Sequence, residues 1–162
     1  MSEIYKLEQW EWTQKDFEKM GWHDCSIHAF AFFIKTSEFG LDIDYIFQWI
    51  EPKKGKKYFH FWVAPVTFVF ENVRDLKLDI ETDSKIMIDS ITRNNPQKSK
   101  NSERNEKQEE WCWNIKCQEG TISLRSVGYK MFVKKQPVLK NEQILNIDER
   151  GGISFIRYRI DT

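Results

Sequence analysis

Cysteine is scarce in this sequence: only Cys25, Cys112 and Cys117 occur among its 162 residues. Three thiols cannot all pair within one chain, and small secreted disulfide scaffolds carry many more. The scarcity therefore excludes a disulfide-stapled fold and predicts a reducing, cytoplasmic environment. The first thirty residues also lack the basic, apolar and small-residue segments of a signal peptide, so export is not expected.

Long apolar runs are absent as well. The longest apolar stretch, Phe59–Phe70, is interrupted by His60, Pro65 and Thr67. It is also far shorter than the roughly 20 residues that a helix needs to span a bilayer. We therefore expect no membrane span.

Neither sign of charge is in excess, because 25 Lys and Arg balance 25 Asp and Glu. Nucleic acid is therefore not an expected partner, since proteins that bind it usually carry a basic domain. The charges are unevenly placed, however, and residues 1–51 hold 4 basic and 10 acidic side chains. This asymmetry indicates a polar partner or self-association, unless the two charge sets face each other within the fold or are solvated.

Familiar catalytic motifs are also missing. The sequence contains no Gly-rich phosphate loop, no His-Glu-x-x-His and no Gly-x-Ser-x-Gly, so no cofactor is expected. Cys25, His28, Cys112 and Cys117 together would supply four zinc-type ligands. Cys112 and Cys117 have opposite parity on a strand, however, and would point to opposite faces. No metal site is predicted.

The composition is that of a folded globular chain, with 40% apolar and 31% charged residues. Residues 1–162 are long enough for a single domain with its own core. From Ser26 onward the apolar residues recur with period two and are rich in β-branched and aromatic types. We predict an α+β, mainly β domain: an antiparallel sheet, strongly curved or folded into two layers, with a short N-terminal helix.

The elements follow from local signals. Thr13–Met20 is the predicted helix, because Thr13 suits an N-cap, Asp16 stands at the capping-box distance and Gly21 suits a C-terminal stop. Pro65 predicts a bulge or break in the third strand. The predicted strands are Ile27–Lys35, Leu41–Ile50, Tyr58–Phe70, Leu76–Glu81, Ile86–Ile91, Trp111–Cys117, Thr121–Val133 and Ile153–Ile160. Residues 93–110 contain no large apolar side chain and are predicted to form a mobile polar loop.

The densest group of functional residue types is the run from Trp22 to His28, which contains His23, Asp24 and Cys25. A catalytic Cys thiolate needs a histidine within reach, and in a strand or turn Cys25 and His28 need not face each other at this spacing. The structural alternative is a buried Cys25 beside a histidine that hydrogen-bonds the helix-to-strand turn. Asp24 would accept backbone N–H bonds in the same turn. No residue is predicted to be catalytic.

Asp42 and Asp44 share one face of a predicted strand, two residues apart. If both were buried they would couple, as in paired-carboxylate chemistry or a site for a hard cation. Their alternation with apolar residues favours a solvent-facing strand surface instead. We take Trp22, His23, Asp24, Asp42 and Asp44 as the candidate binding residues.

Aromatic residues make up 15% of the chain, with seven Trp and twelve Phe. Trp and Tyr are favoured at protein interfaces because they combine a large apolar area with a polar group. A surface cluster near Trp10, Trp12 and Trp22 would therefore form a docking face. The alternative is that these rings cover the sheet.

Three segments carry a resemblance to known proteins. They are Trp22-His23-Asp24-Cys25-x-Ile27, Leu41-x-Ile43-Asp44-Tyr45, and Trp62-Val63-Ala64-Pro65-x-Thr67-x-Val69-Phe70-Glu71-Asn72-Val73. This order resembles small uncharacterised bacterial proteins, some of which are grouped with the immunity proteins of polymorphic toxin systems. The resemblance implies a cytoplasmic α+β domain without known catalytic residues. The zero net charge departs from the acidic character of immunity proteins that neutralise basic nucleases.

Two functions are consistent with these observations. The first is a non-enzymatic protein-binding module of the immunity type, which meets its partner through an aromatic and acidic surface near the N-terminal segment. The second is a small enzyme or ligand-binding protein with a pocket around His23 and Asp24. A concave pocket at these residues would favour the second function, and an exposed aromatic patch the first.

Overall fold

The structure, a computed structural model, describes residues 3–98 and 109–160. Within them the chain forms ten strands, one 3₁₀ helix and one short α-helix. The strands are β1 (Glu11–Thr13), β2 (Ser26–Phe33), β3 (Glu38–Ile50), β4 (His60–Glu71), β5 (Arg74–Ile80), β6 (Ile88–Lys98), β7 (Glu109–Cys117), β8 (Gly120–Ser126), β9 (Gly128–Val133) and β10 (Val138–Lys140). The 3₁₀ helix is Gln14–Lys19, and α1 is Ile147–Arg150.

The strands form two antiparallel sheets. Sheet A has the order β1-β9-β4-β3-β2, with β10 as a further neighbour of β4, and sheet B has the order β5-β8-β7-β6. Long apolar strands with period-two patterning pair in this way because each buries one row of side chains. The prediction of a mainly β, antiparallel fold is confirmed, and the strands are divided between two sheets.

The hydrophobic core joins the two sheets. Phe70 on β4 and Tyr129 on β9 contact Trp113 on β7, with ring centroids 5.4 and 5.6 Å from the indole. All three side chains are fully buried and belong to one cluster that includes residues of both sheets. Burial of a large apolar side chain contributes roughly 1.5–3 kcal/mol. The packing of sheet B on one face of sheet A is therefore a main source of stability.

Pro65 does not break β4, so the predicted interruption there is wrong. On one side of β4, β9 pairs as far as Val66 and β10 pairs from Val63, so Pro65 lies where one neighbour replaces the other. The Pro65 carbonyl accepts a hydrogen bond from Lys134 N on that side. The missing amide of proline therefore falls at a joint between strands, where the ladder is interrupted in any case.

The predicted short N-terminal helix is present as a 3₁₀ helix. Its predicted capping box is present: Thr13 N donates to Asp16 Oδ2 at 3.0 Å, and Thr13 Oγ1 accepts from Lys15 N at 3.3 Å. The chain is already extended at Met20, one residue before the predicted stop at Gly21. Six residues give too few hydrogen bonds to sustain α-helical geometry without packing, and 3₁₀ turns are common in such short pieces.

The C-terminal segment, residues 141–160, crosses the outer face of sheet A. It contains α1, and the predicted strand Ile153–Ile160 is irregular. The Ile156 carbonyl accepts from Thr67 Oγ1, a side chain in the middle of β4, at 2.6 Å. The segment therefore lies over the sheet, and its backbone makes only single contacts such as the hydrogen bond from Ile160 N to the Lys134 carbonyl just after β9. Neither helix of the described chain is long enough to cross a membrane.

The predicted polar loop 93–110 is shorter than expected at both ends. Residues 93–98 belong to β6 and residues 109–110 to β7, where Lys98 pairs with Glu109. The polar ends of the two strands pair here, and Arg93 lies over the rings of Trp111 and Trp113 on the neighbouring strand. The rest of the predicted loop, 99–108, lies outside the described residues.

Candidate functional site

Asp42 and Asp44 are buried, so the predicted solvent-facing surface is wrong. Both carboxylates lie on the outer face of sheet A and are fully removed from solvent. The C-terminal segment covers this face and supplies Arg150, which contacts both of them. With Lys134 and His28, these residues form what we call the buried ion cluster.

Asp42 accepts four hydrogen bonds within this cluster. Arg150 Nη1 and Nη2 donate to its two oxygens at 2.8 and 2.6 Å, Lys134 Nζ donates at 2.9 Å and Ser154 N at 2.9 Å. Burial alone would raise the pKa of Asp42, but the hydrogen bonds from Arg150 and Lys134 outweigh it and hold the pKa below its ordinary value. Asp42 is therefore ionised and fully paired.

Asp44 completes the cluster on the side of β2. It accepts from Arg150 Nε at 3.0 Å and from Leu145 N at 2.9 Å, and its Oδ2 lies 2.6 Å from His28 Nε2. The β2–β3 register shifts between Ile27 and the residue after His28, and this irregularity directs the His28 ring toward Asp44. His28 is the most exposed member, with 13% of its side chain accessible.

Lys134 is held by Asp42 and by the Ser154 carbonyl, both 2.9 Å from Nζ. Burial lowers the pKa of Lys134 more than the hydrogen bond to Asp42 raises it. The lowered pKa values mean that the surroundings favour the charged form of Asp42 and disfavour the charged form of Lys134. The difference arises because Asp42 contacts two cations, whereas Lys134 shares one carboxylate with Arg150. The cluster thus offers no free carboxylate for acid–base chemistry, and its evident effect is to fasten the C-terminal segment to sheet A.

His23, Asp24 and Cys25 lie at the turn before β2, where His23 is exposed and Cys25 is buried. The His23 side chain is 61% exposed, with Nδ1 3.3 Å from Asp89 Oδ1 and Nε2 3.6 Å from Asp24 Oδ1. Asp24 occupies the left-handed region with φ of 65°, as expected of a turn residue. Cys25 is fully buried, and burial raises the pKa of its thiol to about 12. A thiolate nucleophile is therefore not available at neutral pH.

The tryptophans near the N-terminus belong to the core and do not form the predicted docking face. Trp22 and Trp12 are 5% and 7% exposed. The Trp22 ring packs against Tyr45 and Phe68 at centroid distances of 5.3 and 4.8 Å. Trp10 is half-buried, with the Arg159 guanidinium 4.2 Å above its ring. These rings cover the sheet, which is the alternative that the sequence also allowed.

Exposed aromatic side chains gather instead at the end of the β3–β4 hairpin. Trp49, Phe59 and Tyr58 are 39%, 40% and 76% exposed. The Trp49 ring stacks on His23 at 5.8 Å and 21°, and its edge contacts are with Phe59 at 5.9 Å and Phe61 at 4.9 Å. We call His23, Trp49, Tyr58 and Phe59 the aromatic tip. Of the five candidate binding residues, only His23 belongs to it.

Four lysines border the aromatic tip. The loop between Ile50 and His60 contains a turn in which Lys56 N donates to the Lys53 carbonyl at 2.8 Å, with Gly55 at φ of 87°. The lysines are exposed and form no ion pair with the described residues: they are Lys53, Lys54, Lys56 and Lys57. In the sequence, the aromatic tip could be recognised from this lysine-rich turn, which lies between Trp49 and Tyr58. The period-two pattern of the strands does not reveal it.

The cavities lie away from the aromatic tip. One of about 240 Å³ beside β10 is lined by Pro65, Leu145, Glu149 and Arg159, among others. Residues 3–98 and 109–160 contain no group of three or more His, Cys, Asp and Glu that could hold a metal ion. Comparisons of the chain with protein-family models, with curated proteins and with solved structures find no match.

Proposed function

We propose that this chain is a non-enzymatic protein-binding module that docks its partner through the aromatic tip. The observation that supports this best is the state of Trp49, which is held by the His23 and Phe61 rings and is still two-fifths exposed. An aromatic ring fixed before binding loses little conformational entropy on docking. Such rings are the usual energetic centres of protein interfaces.

The surroundings of Trp49 support the same function. Phe59 adds a second exposed ring in contact with it, Tyr58 precedes Phe59 in the chain and is also exposed, and exposed apolar groups that gather in one place commonly mark an interaction site. The lysines at positions 53, 54, 56 and 57 form a basic rim along the hairpin loop, while the carboxylates of Asp24 and Asp89 lie beside His23. A polar, charged rim around an apolar centre is the typical anatomy of a protein interface, and this rim favours an acidic partner.

The resemblance to immunity proteins supports a particular form of this function, in which the partner is a toxin domain that the module covers and inhibits. This form places the protein in the cytoplasm, where its three free cysteines stay reduced. A lysine-rimmed tip suits an acidic toxin surface better than a basic nuclease. The acidic surface first expected here is not involved, since Asp42 and Asp44 are buried.

A small enzyme or ligand-binding protein at His23 and Asp24 receives less support. The Cys25 thiol is buried, and the described cavities are lined by other residues. His23 stacks on Trp49 and lies on an open surface, whereas catalytic groups usually lie in a concave, water-poor site. The geometry therefore favours binding.

The test compares the partner-binding capacity of three proteins: wild type, the double variant W49A/Y58A, and the matched control Tyr158→Ala. Tyr158 is as exposed as Tyr58, at 67% against 76%, but lies on the C-terminal segment. Each is used to capture protein from its source cells, and the captured partner is then purified and its affinity measured by calorimetry. We expect about 10- to 100-fold weaker binding by W49A/Y58A and none of this loss in the control.

Equal binding by wild type and W49A/Y58A would contradict the proposal, as would a wild-type protein that retains nothing beyond what the double variant retains. Aromatic rings beside lysines also suit single-stranded nucleic acid. A fluorescent oligouridylate is therefore titrated in parallel. Tip-dependent binding of this probe in place of a protein would likewise overturn the proposal. Thermal melting shows that each variant is folded.

A further inference from the structure

The edge strands of the two sheets differ in how they are protected from pairing with another strand. Natural edge strands are kept apart by shortness, charged residues or proline. β1 and β10 have three residues each, β5 carries Asp75, Lys77 and Asp79, and β6 contains Pro96. β2 has none of these features. Its eight residues Ser-Ile-His-Ala-Phe-Ala-Phe-Phe include no charged side chain other than a histidine, and no proline.

The outer side of β2 is open over most of its length. At its start, Ile27 N donates to the Ile86 carbonyl and Ile88 N to the Cys25 carbonyl, so the chain before β6 covers the first two residues. Beyond Ile27, no strand of the described chain pairs with β2 on this side. A row of unpaired amides and carbonyls is a template for one kind of ligand, which is another extended strand.

Two phenylalanines make this edge apolar. Phe30 and Phe32 lie opposite Leu41 and Phe39 of β3, both of which are in the core, so they extend the core row to the rim of the sheet. They are 43% and 45% exposed, and Ile34 just beyond them is 83% exposed. A strand that pairs with β2 would bury these rings against its own side chains.

We propose that β2 pairs in antiparallel register with β2 of a second copy of this chain, which joins two copies of sheet A into one continuous sheet. A twofold axis perpendicular to the sheet places the core-facing side of one copy next to the core-facing side of the other. Residues that lie opposite each other across the axis must therefore both have even numbers or both have odd numbers. An axis at Ala31 satisfies this condition. It sets Phe30 of each copy opposite Phe32 of the other and leaves Ala31 opposite itself.

A second copy fits this edge better than an arbitrary strand. Aromatic pairs directly across two strands are favourable, and the register at Ala31 forms two of them. Pairing of β2 with itself brings no like charges together, because the strand has no Lys, Arg, Asp or Glu. It also leaves Ile27 free to keep its hydrogen bond to residue 86, since Ile27 lies beyond the end of the paired stretch. The proposal is independent of the aromatic tip.

A cysteine at the axis tests the register directly. In the background C112S, which removes the half-buried thiol, Ala31→Cys would face its own copy at a Cα separation of about 5 Å, within disulfide range. The matched control Ala29→Cys would lie about 13 Å from its copy in the same register. We expect rapid dimer cross-linking of A31C under mild oxidation and at least about 10-fold slower cross-linking of A29C.

Sedimentation velocity tests the association itself. The wild-type mass should rise from 19.6 kDa toward twice that value as concentration increases. The double variant F30K/F32K should stay at the monomer mass, and Leu78→Lys, on the edge strand β5 with 41% exposure, should associate like wild type. Circular dichroism verifies that each variant is folded.

Three results would overturn the proposal. They are a wild-type protein that remains monomeric at every concentration, a dimer that persists in F30K/F32K, and an A31C variant that cross-links no faster than A29C. A monomeric wild type would leave the edge to a strand from a different protein. A31C keeps both phenylalanines, so its cross-linking rate still tests the pairing of β2 with β2 if F30K/F32K fails to fold.

Discussion

Arg150 holds both carboxylate oxygens of Asp42 in a two-pronged contact, at 2.8 and 2.6 Å, although neither side chain reaches solvent and 108 residues separate them. The planar guanidinium matches a carboxylate in this way, which a lysine cannot reproduce. Lys134 also depends on Asp42, so this carboxylate contacts two buried cations, of which Arg150 has a second carboxylate partner in Asp44.

Asp42→Asn should therefore destabilise the protein strongly. The amide keeps the shape of the side chain but removes the charge, which leaves Lys134 buried without a carboxylate partner and Arg150 with Asp44 alone. Loss of one partner of a buried ion pair costs about 3–5 kcal/mol. Urea unfolding at neutral pH measures this, with the exposed Asp79→Asn on β5 as a control that should change stability by less than about 0.5 kcal/mol. A decrease in the free energy of unfolding no larger than that of the control would contradict an ionised, paired Asp42 in the buried ion cluster.

Glu110 should make stability depend on pH in the acid range. Burial raises its pKa, but hydrogen bonds from Arg74 and Arg125 outweigh this effect and hold the pKa below its ordinary value. The ionised form then stabilises the fold above its unfolded-state pKa, about 4.3. This stabilisation is lost as the pH falls through the lower pKa of the folded state.

Glu110→Gln should accordingly reduce stability at neutral pH and flatten the decline of stability between about pH 5 and pH 2. Urea midpoints across this range, for wild type and the variant, provide the measurement. The exposed Glu81→Gln serves as the control and should follow the wild-type curve. If the curves of midpoint against pH were parallel for wild type and Glu110→Gln, ionisation of Glu110 would not contribute to the pH dependence of stability.

The three thiols should differ in reactivity. Burial raises the pKa of Cys25 to about 12 and that of Cys117 to about 11, and both side chains are almost inaccessible. Cys112 is half-buried. We expect Ellman's reagent at pH 8 to modify Cys112 first in the native protein and all three thiols in urea. Cys112→Ser should remove the fast phase, and a fast phase that survives this substitution would contradict the described burial of the other two.

Gly120 should not tolerate a side chain. Its φ is +149°, and a Cβ there would overlap the Asp79 carbonyl oxygen of the neighbouring strand. Gly120→Ala should lower the free energy of unfolding by roughly 2–4 kcal/mol. Gly21→Ala, where a Cβ would meet no atom within 4 Å, is the matched control and should have little effect. Similar denaturation midpoints for the two variants would argue against the β5–β8 register.

Local signals in the sequence were sufficient for much of sheet A. The β2–β3 hairpin follows from period-two patterning on both sides of a turn, and the Thr13–Asp16 capping pair from spacing alone. Both depend on residues close together in the chain. The type of helix could not be predicted, since α and 3₁₀ geometries share the same caps and differ in how far the helix continues.

The environment of Asp42 and Asp44 could not be predicted, because a polar residue on a strand looks the same whether it faces water or a buried cation. Their partner Arg150 lies more than one hundred residues away. The segment Ile153–Ile160 was predicted to be a strand because its composition suits one, yet it is irregular and crosses the face of sheet A. The aromatic tip was missed for a related reason, since the exposure of Trp49 depends on tertiary packing, which the local sequence does not encode.

The distance along the chain between Asp42 and Arg150 also orders events during synthesis. At elongation rates of about 5–20 residues per second, Arg150 is added roughly 5–20 seconds after Asp42. Until then the nascent β2–β3 hairpin carries two carboxylates that lack their guanidinium, and the outer face of sheet A is open to water. The strands of sheet A can thus begin to pair early, but the buried ion pairs of Asp42 and Asp44 form only once residue 150 has left the ribosome.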